Sequence, residues 1–491
     1  MKAEVDKHVL DCKGEYSPKY TVEAEKGDSD PLVDIIDVTE VAAALRLCKG
    51  TSAPGEDEIS YSFLKQVPNS TLSALATLFT ACVIFGFFPK TWKSAIGVML
   101  PKPDKDTHVP TNYRPISLLN TMGKLLVKVI ARRLRGRFRE TDFFNKYQRA
   151  YLPKKEATEL VYCLAEEIRH AKARGWVTTA VSLDVENAFD SVWHDGLRYK
   201  LSMLDLPVKL VRLVSSFLTD RTIRVRVDHA LSHSVSLGAG TPQGSVLSPL
   251  LYLIYVNDLP VQPTSNCRAA QFADDVSLWT TNSSKKVTFL RLQRALDEVQ
   301  KWCSKWRIKL NVAKTQLVSF SYAKQAMKLK LFGHQITEQK EMKLLGVTFD
   351  KRLSFTTHCR SKAAKAMQRV RLLRMVSGQG WGARASTILK LYKQYVRPVL
   401  ETGYVATCKA PTCNLARLQR VQNAALRTAL RAPMRSNIPD LHDTAGLDML
   451  ADRLRSMHRK AKVRYGNSDC IQSLELQRLL LSGTAETETE L

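Results

Sequence analysis

The sequence predicts an α+β fold. Strand-like and helix-like segments are interspersed through roughly the first 350 of the 491 residues, a pattern that favours a mixed fold. Beyond about Phe355 the pattern becomes almost wholly helical, which indicates a domain boundary there. Hydrophobic residues make up 44% and charged residues 25% of the chain, a composition that excludes a disordered, collagen-like or disulfide-scaffold protein.

The first 175 residues are predicted to be mainly helical. High apolar density at 72–87 predicts a buried helix that ends at Pro89, and the strand-like segment 95–100 leads into the basic loop PKPDKD. In 118–137 the apolar residues recur at the helical period and arginines occupy the opposite face, which predicts a basic amphipathic helix. Further helices are predicted at 38–47 and 156–173.

The middle of the chain carries most of the predicted strands. The β-rich run 176–183 predicts a strand that ends at Asp184. Beyond it we predict helices at 196–204, 207–218, 246–257 and 290–305, and strands at 223–227, 276–279 and 316–320. After residue 355 we predict helices at 361–376, 386–400 and 415–430, followed by a disordered, acidic tail at 482–491.

The charge of the chain points to a polyanionic partner. The net charge is +27 and the pI is about 9.7. Residues 1–60 hold 7 basic and 14 acidic side chains, whereas residues 351–460 hold 22 basic and only 5 acidic ones. The C-terminal third therefore has the charge of a phosphate-binding surface. A merely soluble, arginine-rich helical region is the alternative interpretation.

Cysteines and apolar tracts indicate an intracellular protein. The ten cysteines show neither C-x-x-C pairs nor Cys/His spacing typical of zinc sites, which indicates reduced thiols. The N-terminus lacks the apolar core of a secretory signal, and the longest apolar tract, 74–88, is shorter than the roughly 20 residues that span a bilayer. We therefore expect no membrane span, and we identify no targeting signal.

Three positions place carboxylates where a divalent cation could bind, and the third of them is Asp190, six residues after Asp184. In AVSLDVENAFDSV a strand carries Asp184 at its C-terminal end, and in AAQFADDVSLW apolar residues flank Asp274 and Asp275 as in a hairpin. Adjacent carboxylates repel unless a cation lies between them. Mg²⁺ is bound by one or two carboxylates together with substrate phosphates, so neither His nor Cys is required. Taken singly, each segment could equally be a solvated turn or a cap.

A glycine-rich segment, GAGTPQGSVLSPLLYLIYVNDL, covers residues 238–259. Its glycines at 238, 240 and 244 allow the backbone to approach a ligand closely. Gln243 lies at the start of the predicted helix, where amides favour an anion or a base edge. A glycine-rich turn leading into a core helix explains the segment equally well.

Six sequence blocks resemble a known family. They are NYRPISLL (112–119), SLDVENAFDSV (182–192), GTPQGSVLSPLLYLIYVNDL (240–259), FADD (272–275), LNVAKT (310–315) and LLGVTFD (344–350). Their order and spacing resemble the reverse transcriptase, the RNA-directed DNA polymerase, of non-LTR (LINE-type) retrotransposons. The segments LLYLIYVNDLP and LARLQRVQNAALR resemble its jockey-like branch.

The resemblance implies a right-hand polymerase fold with fingers, a palm built as an antiparallel sheet with packed helices, and a helical thumb. The boundaries we expect are an acidic extension at 1–60, fingers at 61–175, palm at 176–354, a basic thumb at 355–435, and C-terminal helices with a disordered tail at 436–491.

The family's chemistry implies roles for the acidic residues. Asp184, Asp274 and Asp275 would hold two Mg²⁺ ions, for which Mn²⁺ is a possible substitute, and the carbonyl of Val185 would complete the second site. One ion would lower the pKa of the primer 3′-hydroxyl, and the other would shield the triphosphate and the leaving pyrophosphate. Lys314 matches a lysine proposed to protonate the pyrophosphate, with plain surface charge as the alternative.

Four further residues would contact the incoming nucleotide. Arg114 matches the arginine that binds the triphosphate, where a guanidinium pairs well with phosphate oxygens. Lys102 would be a second contact, with Lys105 as a competing candidate. Phe189 matches the aromatic gate whose ring clashes with a ribose 2′-hydroxyl, and Gln243 would lie beside the nucleotide.

The implied partners are an RNA template, a DNA primer and dNTPs, without a membrane or a small-molecule organic cofactor. The basic helices at 361–431 would follow the backbone of a template–primer duplex. The nucleus and cytoplasm are the implied compartments, and the oligomeric state is left open. We expect structural roles for Asp190, as a hydrogen-bond acceptor or an orienting group, and packing roles for His194, His358 and Trp381. For Trp381, which is next to glycines, stacking is the alternative.

Some features depart from the family pattern. Autonomous members carry an endonuclease ahead of the polymerase, and the residues before Tyr61 are too few for one, so we expect a fragment whose Met1 is an internal start. Glu58 stands where glycine is usual in a loop that contacts template. The alternative function is a catalytically inactive relic that only binds nucleic acid, although all three aspartates are intact. A telomerase or intron-maturase type of polymerase is disfavoured by the jockey-like blocks.

Overall fold

The computed structural model describes residues 30–102, 106–260, 267–321, 327–378 and 381–466, and its fold is α+β, as predicted. These residues form two compact units. The first comprises the described residues within Met1–Asn145, Val185–Pro260 and Gln300–Leu310, and the second those within Lys146–Asp184, Val261–Val299 and Asn311–Leu491. Within the described ranges, no helix has both the length and the apolar character needed to cross a membrane.

The strands are β1 (Ser94–Pro101), β2 (Tyr113–Leu119), β3 (Val177–Asp184), β4 (Arg221–Val227), β5 (Ala230–Leu231), β6 (Val235–Leu237), β7 (Arg268–Phe272), β8 (Asp275–Asn282), β9 (Gln316–Ser319), β10 (Lys328–Leu331), β11 (His334–Thr337), β12 (Glu341–Leu344) and β13 (Val347–Asp350). The α-helices are α1 (Val38–Arg46), α2 (Tyr61–Leu64), α3 (Asn69–Ile84), α4 (Thr121–Glu140), α5 (Ala157–Ala173), α6 (His194–Ser202), α7 (Val208–Leu218), α8 (Leu247–Tyr255), α9 (Lys285–Lys305), α10 (Thr356–Met375), α11 (Ala385–Leu391), α12 (Arg397–Leu400), α13 (Tyr404–Thr407), α14 (Thr412–Leu430), α15 (Ile438–Ala445) and α16 (Leu450–Gly466).

A five-stranded sheet lies in the first unit. β1 pairs antiparallel with β2 and parallel with β4, and the short strands β5 and β6 both pair with β4. The β1–β2 pairing brings Leu100 opposite Arg114 and Pro101 opposite Tyr113, at the end of the hairpin that leads into the basic loop. The helix predicted at 72–87 is present as α3, which buries Leu75 and Phe79.

The start of the predicted amphipathic helix was wrong. Leu118 and Leu119 belong to β2, and α4 begins only at Thr121. The loop around Asp57 explains the boundary, because the Asp57 carboxylate accepts a hydrogen bond from the Thr121 amide at 3.2 Å. Asn120 is also held outside the helix, since its side-chain Oδ1 accepts a bond from the Glu56 amide at 3.0 Å. These contacts span 64 residues, so no local periodicity predicts them.

Glu58 in the same loop has a left-handed backbone, with φ +54°. A side chain beyond glycine is disfavoured at such φ because its Cβ crowds the following carbonyl. We expect Glu58→Gly to raise the free energy of unfolding by about 0.5 to 1 kcal/mol, because the backbone strain that is relieved exceeds the cost of the greater entropy of glycine in the unfolded chain. Urea denaturation measures the free energy of unfolding of both proteins. Ala53→Gly, in the same loop but without positive φ, should instead be neutral or destabilising, and an equal gain from both would refute the strain argument.

The second unit contains a four-stranded antiparallel sheet in the order β7-β8-β3-β9. β3 was predicted one residue longer at its start, and it ends at Asp184 as expected. The hairpins β10–β11 and β12–β13 had not been predicted. All four strands are only four residues long, and β10 and β12 mix lysine with leucine. Their apolar alternation is therefore too short to identify from the sequence.

Beyond Phe355 the described chain is helical, as predicted. α10 and α14 pack against each other and bury one apolar face each, which includes Ala366 and Val370 on α10 and Val421 on α14. The single helix predicted at 386–400 is divided into α11, a π-helical turn at Tyr392–Val396, and α12. Pro398 accounts for the turn, because a proline cannot donate the amide hydrogen bond that a continuous α-helix requires there.

Candidate active site

Asp184 and Asp275 are directly opposite each other in the sheet of the second unit. Asp184 is the last residue of β3 and Asp275 is the first residue of β8, and the antiparallel register pairs the two. Residues paired in this way have Cβ atoms about 5 Å apart. The structure thus brings together two carboxylates that are 91 positions apart in the sequence.

Asp274 lies in the tight turn beside them. Phe272 of β7 pairs with Asp275 of β8, and Ala273 and Asp274 form a two-residue connection between the strands. Ala273 has φ +56°, a conformation that costs energy for a residue with a Cβ. The FADD block therefore forms the predicted hairpin, with one acid in the turn and one at the first strand position.

Gln148 holds this turn in place, and the sequence analysis missed it. Its buried side-chain Oε1 accepts hydrogen bonds from the amide of Ala273 at 3.1 Å and from the amide of Ala150 at 2.8 Å. The neighbouring backbone also pairs with β7, since the Arg149 amide donates to the Gln271 carbonyl at 3.0 Å. No local pattern marks a single glutamine that acts on a turn 125 residues away.

Partial burial and the two neighbouring carboxylates raise the pKa of Asp275. The pKa of Asp275 is raised to about 6, first by partial desolvation and then by the negative charges of Asp274 and Asp184, while Lys343 opposes the shift. Partial removal from water disfavours the ionised form of Asp275, and so does the negative charge of the two nearby carboxylates. A bound cation would reverse that preference. The donors are all carboxylate oxygens, which suits a hard ion such as Mg²⁺.

The donor set by itself is incomplete. In the described part of the chain, no three His, Cys, Asp or Glu side chains converge closely enough to hold a metal ion unaided. Mg²⁺ commonly keeps water or substrate phosphates as ligands beside one or two carboxylates, so the aspartate pair and its neighbour still fit such an ion.

Lys314 forms an ion pair with Asp184. Its Nζ lies 3.0 Å from Asp184 Oδ2, and its side chain is 66% exposed. Asn311 caps the short 3₁₀ turn at Val312–Lys314, since its side chain accepts a hydrogen bond from the Lys314 amide at 3.1 Å. The Asn311 amide in turn donates to the Asp184 carbonyl at 2.8 Å, so the LNVAKT block is fixed to the end of β3.

Val185 continues the chain after Asp184 and forms an isolated antiparallel bridge with Leu310 in the first unit. Its neighbour Glu186 donates its amide to the Lys309 carbonyl at 2.9 Å. The backbone that follows Asp184 is therefore fixed by contacts to Lys309 and Leu310.

Gln243 and Asp190 bind each other in the first unit. The Gln243 Nε2 lies 2.9 and 2.8 Å from the two carboxylate oxygens of Asp190. The prediction that Asp190 accepts a hydrogen bond is confirmed. Gln243 lies in the turn before α8, which begins only at Leu247, so the helix starts one residue later than predicted.

Two glycines allow this turn to pass between neighbouring backbones. At Gly240, with φ +87°, a Cβ would lie 2.7 Å from the Asp190 carbonyl oxygen. At Gly244, with φ +134°, a Cβ would lie 2.4 Å from the Ser117 carbonyl oxygen. The Ser117 amide donates to the Gln243 carbonyl at 2.7 Å, which ties the turn to β2. Glycine is thus required at both positions by close approach as well as by φ.

Phe189 is half-buried beside this turn. Its ring lies 4.9 Å from the ring of buried Tyr252 on α8 at an interplanar angle of 36°. The Phe189 carbonyl also accepts a hydrogen bond from the Thr241 amide at 2.7 Å. The ring is therefore supported from one side by the first unit.

Arg114 and Lys102 lie at the same end of the β1–β2 hairpin. Arg114 is exposed on β2 opposite Leu100, and the Lys102 amide donates to the Asn112 carbonyl at 2.8 Å. Lys105, the competing candidate, lies outside the described residues. Of the other predicted structural residues, His194 is buried with its Nε2 2.7 Å from the Gly240 carbonyl, and buried His358 accepts a bond at Nδ1 from the Thr348 amide at 3.3 Å.

Comparison with known proteins identifies the family of the chain. Residues 100–349, just over half of the chain, match the family described as reverse transcriptase (RNA-dependent DNA polymerase). A protein of Drosophila melanogaster described as a probable RNA-directed DNA polymerase from transposon BS is 30% identical over 92% of this chain and 51% of its own length. The RNA-directed DNA polymerase from mobile element jockey of the same species is 29% identical over 87% of this chain and 47% of its own.

The chain thus spans about half the length of these relatives. Among solved structures, telomerase from Candida albicans in complex with a fragment of telomeric RNA covers 81% of this chain and 68% of its own, at a TM-score of 0.38 and 12% identity. A likeness that weak adds nothing to the family match.

Proposed function

The chain belongs to the reverse transcriptase family, and on that premise we propose that it is the RNA-directed DNA polymerase of a jockey-like non-LTR retrotransposon. It would extend a DNA primer 3′-hydroxyl on an RNA template with dNTPs. The observation that carries this proposal is the direct pairing of Asp184 with Asp275, with Asp274 in the adjoining turn. The family has the right-hand polymerase fold and depends in general on a divalent metal.

We assign the metal-binding role to Asp184, Asp274 and Asp275, with the Val185 carbonyl as a further ligand. Two Mg²⁺ ions bound there would supply a lowered pKa at the primer hydroxyl and charge neutralisation at the phosphates. The pKa of Asp275, raised by partial burial and then by the charges of Asp274 and Asp184, supports this assignment, because a bound cation would stabilise the ionised form.

Lys314 is suited to donate a proton to the leaving pyrophosphate. Its ammonium is held 3.0 Å from Asp184 by the ion pair, and it remains largely exposed. An exposed lysine near the reacting phosphate can act as a general acid when a phosphate oxygen develops charge.

The remaining residues would bind and select the nucleotide. Arg114 can present two parallel N–H donors to a triphosphate, and Lys102 adds a point charge at the same hairpin end. Phe189 would exclude the ribose 2′-hydroxyl. Gln243 would lie beside the nucleotide and, through its bond to Asp190, stabilise the segment that carries Phe189.

The test of the proposal is primer extension by the purified full chain. With a DNA primer annealed to a homopolymer RNA, we expect dNTP incorporation that requires Mg²⁺ and stops when a chelator is added. A preparation carrying Asp274→Ala and Asp275→Ala controls for a contaminating polymerase. No incorporation by well-folded wild-type chain, with either Mg²⁺ or Mn²⁺, would favour the inactive relic instead.

Gln148 is a positioning residue in this proposal, because it bonds the turn and not the substrate. We expect Gln148→Met, which keeps the length but removes the acceptor, to lower kcat about tenfold to a hundredfold with little change in KM for dNTP, since small displacements of reacting groups have effects of this size. Gln148→Glu keeps an acceptor oxygen and should recover part of the loss. Steady-state kinetics on thermally intact variants measure both, and a wild-type kcat in the Met variant would exclude the role.

A further inference from the structure

An exposed indole ring lies on the second unit between α10 and α11. Trp381 is 75% exposed, so the prediction that it packs was wrong. One side of the ring rests on Gly378, where an added Cβ would lie 2.3 Å from Trp381 Cε2 and 2.5 Å from its Nε1. Because residue 378 is glycine, the ring can lie directly against the backbone there, and we call this contact the seat of the ring. Most of the remaining indole is exposed to solvent.

The seat is braced by backbone hydrogen bonds. The Gly382 amide donates to the Gly378 carbonyl at 3.0 Å, and the Ala383 amide donates to the Val376 carbonyl at 2.8 Å. Arg431, at the end of α14, donates from Nη2 to the same Gly378 carbonyl at 3.0 Å. Gly378, Gly382 and Ala383 are thus held by hydrogen bonds close to the ring.

The two segments that meet at Gly378 are basic. Residues 371–386 and 427–437 contain no Asp or Glu. The exposed arginines of these segments are Arg371, Arg374, Arg384, Arg431 and Arg435. Arg431 donates to the carbonyl of Gly378, the residue against which the indole lies. An exposed aromatic ring on a basic part of the chain matches a ligand that has both aromatic faces and phosphates.

We propose that Trp381 is a stacking platform for an unpaired base of single-stranded nucleic acid, and that the surrounding arginines bind the adjacent phosphates. Bases inside a duplex have both faces covered by neighbouring base pairs, so a ring seated on the surface can stack only on an unpaired or terminal base. Stacking of this kind is independent of sequence, because every base presents a π-face. The inference rests on the proposed function only in that nucleic acid is the ligand.

The platform is tested by binding, without any need for polymerisation. Fluorescence anisotropy measures the affinity of the full chain for labelled oligouridylate. In Trp381→Leu this affinity should be about tenfold lower, because one stacked base is lost. In Trp381→Phe, which keeps an aromatic ring, it should stay within about threefold of wild type. The affinity for oligodeoxythymidylate should fall by the same factor in Trp381→Leu, because the proposed stacking involves no contact to a 2′-hydroxyl. A covalently closed circular duplex, which has no terminal base pair, should compete for all three proteins with the same affinity.

A second exposed tryptophan provides the matched control. Trp176 is 43% exposed in the same unit, but the Arg174 guanidinium carbon already lies 5.8 Å from its ring centroid. Trp176→Leu should leave the affinity for oligouridylate unchanged. An equal loss in Trp176→Leu and Trp381→Leu would show a general effect of apolar surface and overturn the platform.

Other outcomes also decide the question. Wild-type affinity for oligouridylate in Trp381→Leu, or an equal loss of affinity for the closed circular duplex, overturns the platform. Loss of binding to phosphatidylserine vesicles with unchanged oligonucleotide binding would assign the surface to a membrane and likewise overturn it. Failure of primer extension in wild-type chain refutes the polymerase but not the platform, provided that oligonucleotide binding still depends on Trp381.

Discussion

The double substitution Asp274→Ala, Asp275→Ala is expected to reduce dNTP incorporation at least about a thousandfold while the chain remains folded. Loss of metal ligands in a two-metal site removes both activation of the nucleophile and stabilisation of the leaving group, so effects of this order follow. The fold should survive because Asp275 is exposed and Asp274 lies in a turn. Its pKa shift also indicates that Asp275 is electrostatically unfavourable without a cation, so its removal does not cost a stabilising charge.

Single-turnover incorporation on primed homopolymer RNA, beside the thermal midpoint of each protein, measures this effect. Asp443→Ala with Asp452→Ala is the matched control, since it removes two exposed carboxylates from the same unit. Incorporation within tenfold of wild type by the Asp274, Asp275 variant would contradict the assigned metal site.

Replacing Phe189 by Ala is expected to lower the preference for dNTPs over rNTPs on the order of a hundredfold. A rigid ring that clashes with the 2′-hydroxyl acts through steric exclusion, and its removal admits the ribonucleotide without new binding energy. Phe189 is suited to this because Tyr252 supports its ring at 4.9 Å, so the ring cannot easily turn aside. The ratio of kcat/KM for a dNTP and the matching rNTP measures the change.

Phe189→Tyr, which keeps the bulk of the ring, is the control and should retain most of the preference. If Phe189→Ala still incorporates dNTPs but shows an unchanged ratio, the ring is a packing residue and the gate lies elsewhere. Phe189→Val provides a second test if the alanine variant is unstable.

Much of this site could be predicted because its signals are local. A β-rich run that ends in Asp184 and an apolar hairpin with adjacent acids are short patterns, and both formed as expected. Gln148 could not be predicted, because its contact to Ala273 joins distant segments and a single buried glutamine has no periodic context. The same limit explains the helix boundary at Thr121, which is set by Asp57 and not by hydrophobic spacing.

The fold shows a similar division. Long helices such as α5 and α14 were predicted within a few residues, since their apolar faces repeat over several turns. The hairpins formed by β10 to β13 were missed because four-residue strands offer too few alternations. Trp381 was misjudged for a different reason: tryptophan is usually buried, and only the geometry of Gly378 shows a ring that lies on the surface.

Gly240 and Gly244 are required by the fold, so their presence cannot distinguish an inactive copy of a retrotransposon from an active one. Both glycines are needed because any side chain would collide with the backbone of Asp190 or Ser117. A copy that had lost all catalysis but still had to fold would be under the same pressure to keep them. An intact GTPQG block is consequently evidence of a sound architecture and carries no information about catalysis.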